Sequence, residues 1–133
     1  MTNEQLVRSL YEAFARGDGA TVVGALDPGI VWMEAENVGD GYDAGNPYVG
    51  PQRVAAGIFG RLATEWDGFQ VRPETFVSEG NHVVALGRYR GTYKATTRPL
   101  NAQFVHVWTI EDGKVTRFQQ YTDTAQFTRV TQR

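Results

Sequence analysis

The chain has 133 residues, a formal net charge of −2, 41% hydrophobic and 12% aromatic residues, and no cysteine. Such a length supports one domain, 1–133, with one real core; the charge balance offers no basic cluster for nucleic acid, and the missing thiols exclude disulfides, thiol catalysis and thiolate metal sites. No apolar run approaches a membrane span and the polar start, Met1-Thr2-Asn3-Glu4-Gln5, lacks a leader pattern, so the expectation is a cytoplasmic protein without nucleic-acid or membrane partners.

Thr2 or Asn3 caps a first helix with Glu4 in its first turn. Leu6, Val7, Leu10, Tyr11 and Phe14 recur on it at helical spacing and define a buried stripe. Gly17 ends it, and Asp18-Gly19 opens a short second helix holding Val22, Val23 and Leu26, stopped at Asp27-Pro28-Gly29. Ile30 to Glu36 alternates like a strand, with Ile30, Trp32, Glu34 and Glu36 on one face. Residues 37 to 50 are the one long breaker-rich stretch, and loops of that length in a small domain often act as lids or binding loops. Pro51 suits the first position of a third helix, whose inner face is Val54, Ile58, Phe59, Leu62 and Trp66. Phe69 to Phe76 reads as a strand bent at Pro73, Ser78-Glu79-Gly80-Asn81 as a turn, and Val83 to Tyr93 as a long strand. The tail after Thr124 is polar and threonine-rich and reads as loose.

Between Thr96-Thr97-Arg98-Pro99 and that tail lies the strongest local signal. Asp112-Gly113 separates two β-rich runs, and both residues tolerate the positive φ of a type I′ turn. With Glu111 facing Lys114, regular pairing sets Trp108 against Arg117, His106 against Gln119, Phe104 against Tyr121 and Ala102 against Asp123. Phe104, His106, Trp108, Gln119, Tyr121 and Asp123 then share one face. Titratable groups among aromatics on a buried face suggest a ligand pocket. Helices early and hairpins late predict an α+β fold: a cone-shaped, curved antiparallel sheet with three helices from the N-terminal half on its concave face, enclosing that pocket.

Leu10-Tyr11-Glu12-Ala13-Phe14 before Gly17-Asp18, Val31-Trp32, Tyr48-Val49-Gly50-Pro51, Gly87-Arg88-Tyr89, His106-Val107-Trp108 and Asp112-Gly113-Lys114-Val115 occur in this order. The combination resembles the SnoaL-like polyketide cyclases and ketosteroid isomerase-related proteins of the nuclear-transport-factor-2-like superfamily, over nearly the whole chain. The resemblance implies a cone-shaped α+β barrel, a frequent dimer, and chemistry that varies within one fold. It departs from the steroid isomerase pattern at all three key positions. The oxyanion aspartate of those enzymes falls at His106, the base at or next to Met33-Glu34, and the helical tyrosine at Leu10, one residue before Tyr11. SnoaL-type cyclases pair a pocket histidine with an aspartate, and His106 with Asp123 matches that pairing.

Among the residues themselves, His106 can donate or accept a proton near neutrality, or sit in the core bonded to a neighbour such as Gln119. Asp123 is the first candidate base; with regular pairing it stands roughly 13 Å along the strand from the partner of His106, so a bulge is needed to join them. Glu34 is the alternative base. Trp32, Phe59, Trp66, Phe104, Trp108, Gln119 and Tyr121 are candidate walls, Tyr89 a candidate phenol donor with small neighbours Gly87 and Gly91, and Tyr48 a candidate cover from the long loop. No metal site is expected, since no second histidine accompanies His106 at ligand spacing, and no cofactor, since no phosphate loop or dinucleotide fingerprint is present. Two readings follow: an enzyme performing cofactor-free acid/base chemistry (isomerisation, aldol cyclisation or dehydration) on an apolar, ring-containing substrate, or a non-catalytic binding or dimerisation module. A homodimer is expected through the outer sheet face, assigned Val84, Leu86, Val105, Val107 and Phe118.

Overall fold

A computed structural model describes all residues 1–133. Its first helix, α1 (Asn3–Ala15), starts at a capping box: the Gln5 N–H donates to Thr2 Oγ1 at 3.1 Å and the Thr2 N–H donates to Gln5 Oε1 at 2.7 Å. Val7, Leu10, Tyr11 and Ala13 are its buried stripe. Asp18 caps α2 (Gly19–Gly24), which ends before Leu26; that residue opens β1 (Leu26–Met33) instead of extending the helix. A 3₁₀ segment (Gly39–Gly45) occupies the long loop, followed by a two-residue strand β2 (Tyr48–Val49). Pro51 starts α3 (Pro51–Val54), which passes through a π-helical turn (Ala55–Phe59) into α4 (Gly60–Glu65). Then come β3 (Trp66–Glu79), β4 (His82–Tyr93), β5 (Pro99–Glu111), β6 (Lys114–Thr122) and α5 (Thr124–Thr131).

The six strands form one curved sheet in the order β2-β1-β6-β5-β4-β3. β1 pairs with β6 in parallel and every other neighbour is antiparallel. Register shifts interrupt the β3–β4 ladder between Asp67 and Gln70 and between Pro73 and Thr75, and the β5–β6 ladder between Thr109 and Ile110. Each extra residue bends its strand and increases twist, which closes the sheet toward a cone. Gly87 pairs with Pro73 at the second of these shifts, and a Cβ there would strike the Arg72 carbonyl, the Phe104 ring and Pro73 Cα. The buried hydrophobic residues make one continuous core between sheet and helices. No helix is long and apolar enough to cross a membrane.

Trp66, like Leu26, was expected on a helix and instead opens a strand, and two further expectations need correction. The final hairpin turns at Asp112 (φ 50°) and Gly113 (φ 74°), as read. Its pairing does not stay regular, however: Ile110 faces Val115 but Thr109 faces Arg117, leaving Thr116 extra on β6. The physical reason is that Val115 and Phe118 are both apolar and three apart, so both can face inward only across a bulge; their exposures are 0% and 3%. Every residue after the bulge changes side. Phe118 and Gln120 point inward, while Gln119 and Tyr121 point outward, with Tyr121 57% exposed. Phe118 therefore leaves the outer face it was assigned to.

The second correction concerns the tail. Asp123 accepts the Gln126 N–H at 3.1 Å and caps α5, whose Phe127 and Val130 are buried. Thr96 donates to the Val130 carbonyl at 2.6 Å, and Arg98 donates to the carbonyls of Arg129 and Gln132 at 2.7 and 2.6 Å. The helix is thus fastened to the β4–β5 turn and joins the three helical segments expected.

Candidate active site

Tyr11 from α1, Tyr89 from β4 and His106 from β5 meet in the interior. Tyr11 Oη lies 2.6 Å from His106 Nδ1, and Tyr89 Oη lies 2.5 Å from His106 Nε2. Each phenol oxygen also accepts a second bond: Trp108 Nε1–H donates to Tyr11 at 2.9 Å, and the Gln120 amide donates to Tyr89 at 2.8 Å. Gln120 Oε1 in turn accepts the Ala35 N–H at 3.1 Å, which fixes the amide's orientation. The His106 ring stacks on Phe104, centroids 4.0 Å apart. Burial without a charged partner lowers the His106 pKa to about 3, so the ring is neutral at ordinary pH and cannot serve as a cationic acid there. Burial raises both phenols, and the charge of Glu34 raises Tyr89 further.

Glu34 follows β1 and lies 5% exposed. Trp32 Nε1–H donates to its Oε2 at 3.0 Å, and Asn46 holds its backbone by bonds of 2.8 and 2.9 Å. Burial raises the Glu34 carboxyl to about 7, opposed in part by the Trp32 bond. That value suits a group that must both take and return a proton near neutrality.

Glu34, Tyr11, Tyr89 and His106 line one cavity, in which fifteen of the eighteen lining residues are hydrophobic and Glu34 is the one acidic group. The cavity measures about 70 Å³, several times the roughly 10–15 Å³ that one water needs. Phe14, Phe59, Leu62 and Phe69 belong both to this cavity and to a wider cleft bounded by Gly17, Gly19, Ala63, Trp66 and Gly68. The shared walls put that cleft beside the cavity, as a vestibule between the α1–α2 turn and the α4–β3 junction.

The long loop also walls the cavity. Tyr42 lines the cavity, donates to Glu65 Oε1 at 3.1 Å and accepts Trp66 Nε1–H at 3.2 Å. The Arg61 guanidinium lies over the Tyr42 ring, 3.9 Å from its centroid, and pairs with Asp40 and Glu65 at 3.2 and 2.8 Å. Tyr48 donates to the Tyr42 carbonyl at 2.6 Å.

Against the sequence expectations, Glu34, His106, Tyr89, Phe59 and Trp108 line the cavity. Trp32 and Phe104 stand behind them, Trp32 stacked on Phe118 at 3.7 Å. Trp66 borders the vestibule and Tyr48 buttresses the loop from below. Gln119, Tyr121 and Asp123 lie outside the cavity, the first two because of the Thr116 bulge and the third because it caps α5. Of the two candidate carboxylates, Glu34 lines the cavity and Asp123 does not. The sequence reading missed Gln120, Tyr42 and Phe127. The odd spacing of Val115 and Phe118 was the signal for Gln120, and Phe127 with Val130 after a capping Asp was the signal for α5. Tyr11 was legible as a buried helical residue, but nothing local announced its bond to a histidine 95 positions away.

No group of three or more His, Asp or Glu side chains is arranged to hold a metal ion.

The comparisons agree with this architecture. An NTF2-like protein from Burkholderia thailandensis is 30% identical, covers 100% of this chain and 99% of its own, and superposes with a TM-score of 0.93. An NTF2-like protein of unknown function from Burkholderia pseudomallei is 32% identical over 100% of both chains, with a TM-score of 0.89. TerC, co-crystallised with polyporic acid, shares the fold at 24% identity, a TM-score of 0.84 and 98% coverage of each chain. No match was found among curated protein sequences. The model for the SnoaL-like domain matches residues 7–118, and with that match spanning most of the sequence, the chain belongs to the SnoaL-like domain family.

Proposed function

We propose that the protein is a cofactor-free enzyme that moves a proton between carbon and oxygen of a neutral, ring-containing carbonyl compound. The observation that carries this reading is one apolar cavity holding both a buried carboxyl, Glu34, raised to about 7, and a cluster of neutral donors around His106. Glu34 takes a proton from the carbon beside the carbonyl. A hydrogen bond from the cluster stabilises the charge that develops on the oxygen, and the low-polarity walls strengthen that bond. Glu34 then returns the proton to another carbon, or gives it to the alkoxide formed on ring closure or to the hydroxyl that leaves as water in dehydration.

Ligand class follows from the same walls. No cation lines the cavity, so a carboxylate or phosphate would meet Glu34 without a partner, and burying an unpaired charge is costly. A cavity of about 70 Å³ suits a single flat ring with short substituents, its remainder lying toward the vestibule.

The test is exchange of the carbon-bound hydrogens of cyclohex-2-enone and related cyclic ketones in D₂O, followed by proton NMR. The protein should accelerate exchange above buffer, and Glu34→Gln should lower the acceleration by about 10²- to 10⁴-fold, the scale of a lost acid/base group. Ketones that bind without exchanging would support the second reading, a small-molecule-binding module, which the closely confined cavity also accommodates. Ketones that neither bind nor exchange would refute both.

We also propose a homodimer through the outer sheet face. With Phe118 turned inward, that face still carries Val77, Val84, Leu86, Val105, Val107 and Tyr121, of which Val77, Leu86 and Tyr121 are 55%, 39% and 57% exposed. A contiguous apolar surface of this kind favours association.

A further inference from the structure

The hydrogens in the Tyr11–His106–Tyr89 cluster can be counted. A neutral imidazole carries one N–H and one bare nitrogen, and a phenol carries one hydrogen and two lone pairs. The cluster therefore holds three hydrogens: one on each phenol and one on His106. It contains two internal gaps, Tyr11 Oη to Nδ1 and Tyr89 Oη to Nε2, and each gap takes one hydrogen.

The third hydrogen cannot be used at the ends of the chain. Beyond Tyr11 stands the Trp108 indole N–H, which is a donor only. Beyond Tyr89 stands the NH₂ of Gln120, whose amide cannot flip without setting its NH₂ against the Ala35 N–H. Both ends are blocked by donors. One phenol donates to His106, and the other receives the His106 N–H. The receiving phenol already accepts from its outer neighbour, so its own hydrogen has no acceptor within the cluster. Both phenols line the cavity, which is where that hydrogen is free to turn.

We infer that the donor presented to a ligand oxygen is this surplus phenolic hydrogen, borne by Tyr11 or Tyr89 according to the tautomer of His106, and that His106 is a positioning residue whose two ring nitrogens, both held by the phenols, give the ligand no hydrogen bond. The Nε2–H tautomer gives its hydrogen to Tyr89 and frees the Tyr89 O–H; the Nδ1–H tautomer frees the Tyr11 O–H. A ligand with an acceptor oxygen on either side of His106 is met by exchange of the ring hydrogen from one nitrogen to the other and a turn of both phenol O–H groups, with no movement of the rings. The site thus selects for a hydrogen-bond-accepting oxygen, as in a ketone or its enolate, while tolerating two positions for it. This deepens the proposed function by naming its donor, and it rests on that reading only for the chemistry that follows binding.

The test uses the ligand-free protein, so its failure is separable from failure of the exchange experiment. His82, exposed and the second of the two histidines, is replaced by Asn to leave one ring signal. Nitrogen-15 NMR of labelled histidine then reports which ring nitrogen carries hydrogen. Tyr11→Phe should trap the Nε2–H form, because an Nδ1–H would face the phenyl ring with no acceptor, whereas the surplus Tyr89 O–H can still turn into the cavity. Tyr89→Phe should trap the opposite, Nδ1–H form. The parent protein should show a neutral ring with both nitrogens at values between the two. Should a Phe variant not fold, Gln120→Leu and Trp108→Phe give the same contrast: each phenol stripped of its outer donor recruits the His106 N–H, favouring Nε2–H and Nδ1–H respectively. The same tautomer in both members of a pair, or an imidazolium at neutral pH, overturns the inference.

Discussion

Glu34→Gln replaces a buried carboxyl with an amide of nearly the same shape, and its oxygen can still accept the Trp32 Nε1–H. The perturbation therefore removes a titration while leaving the contacts in place. In the fold, burial holds the Glu34 pKa at about 7 against an ordinary value of 4.5. Between those values the native state keeps a proton that the unfolded chain releases. The native state then binds more protons, so stability falls as pH rises. Each pH unit across that interval is worth about 1.4 kcal/mol, so the ionised carboxyl costs the parent protein about 3 kcal/mol above pH 7. The substituted amide carries no such cost. Urea unfolding at stepped pH should show the variant gaining about 3 kcal/mol on the parent between pH 4.5 and pH 8, about 10 °C in Tm for a chain of this size. All other titrations cancel in the difference between the two proteins. Parallel curves over that range would mean that Glu34 titrates as it does in water, and would refute its assignment as a base poised near neutrality.

Three other outcomes are expected. His106 has the opposite sign: its folded pKa is about 3 against 6.5, so the unfolded chain binds the extra proton and stability is lost as pH falls from 6.5 toward 3; His106→Gln, which keeps a donor and an acceptor but does not titrate, should flatten that acid limb in the same urea series. Asp123→Ala should cost about 1 kcal/mol by uncapping α5 and leave ketone exchange unchanged, and a loss of exchange on the scale of Glu34→Gln would return Asp123 to the site. Val107→Asp should convert a sedimenting dimer to monomer at micromolar concentration; a parent protein already monomeric there would dismiss the outer-face dimer.

The elements of this protein are legible in its sequence because they rest on local chemistry. The helix cap at Thr2, one of the two residues offered for it, the Pro51 helix start and the Asp112-Gly113 turn are each written within a few residues, and each occurs in the structure. The apolar stripe of α1 and the alternation of Ile30, Trp32 and Glu34 also identified the right faces, since burial enforces period on both helix and strand. But β1 ends at Met33, so the alternation stops there and Glu36, expected on the same face, is exposed while Ala35 is buried. What the sequence could not decide alone was parity across the last hairpin. A single extra residue, Thr116, reverses every side chain after it, and the choice is made by packing: Val115 must meet Ile110 while Phe118 must meet Trp32 and Trp108. That one tertiary decision brought Gln120 into the cavity and sent Tyr121 to solvent, and the chain beyond it turns at Asp123 into α5. The site itself is likewise tertiary. Tyr11, Glu34, Tyr89 and His106 come from four separate elements, and their pKa values follow from shared burial, a property that no one of those elements possesses alone.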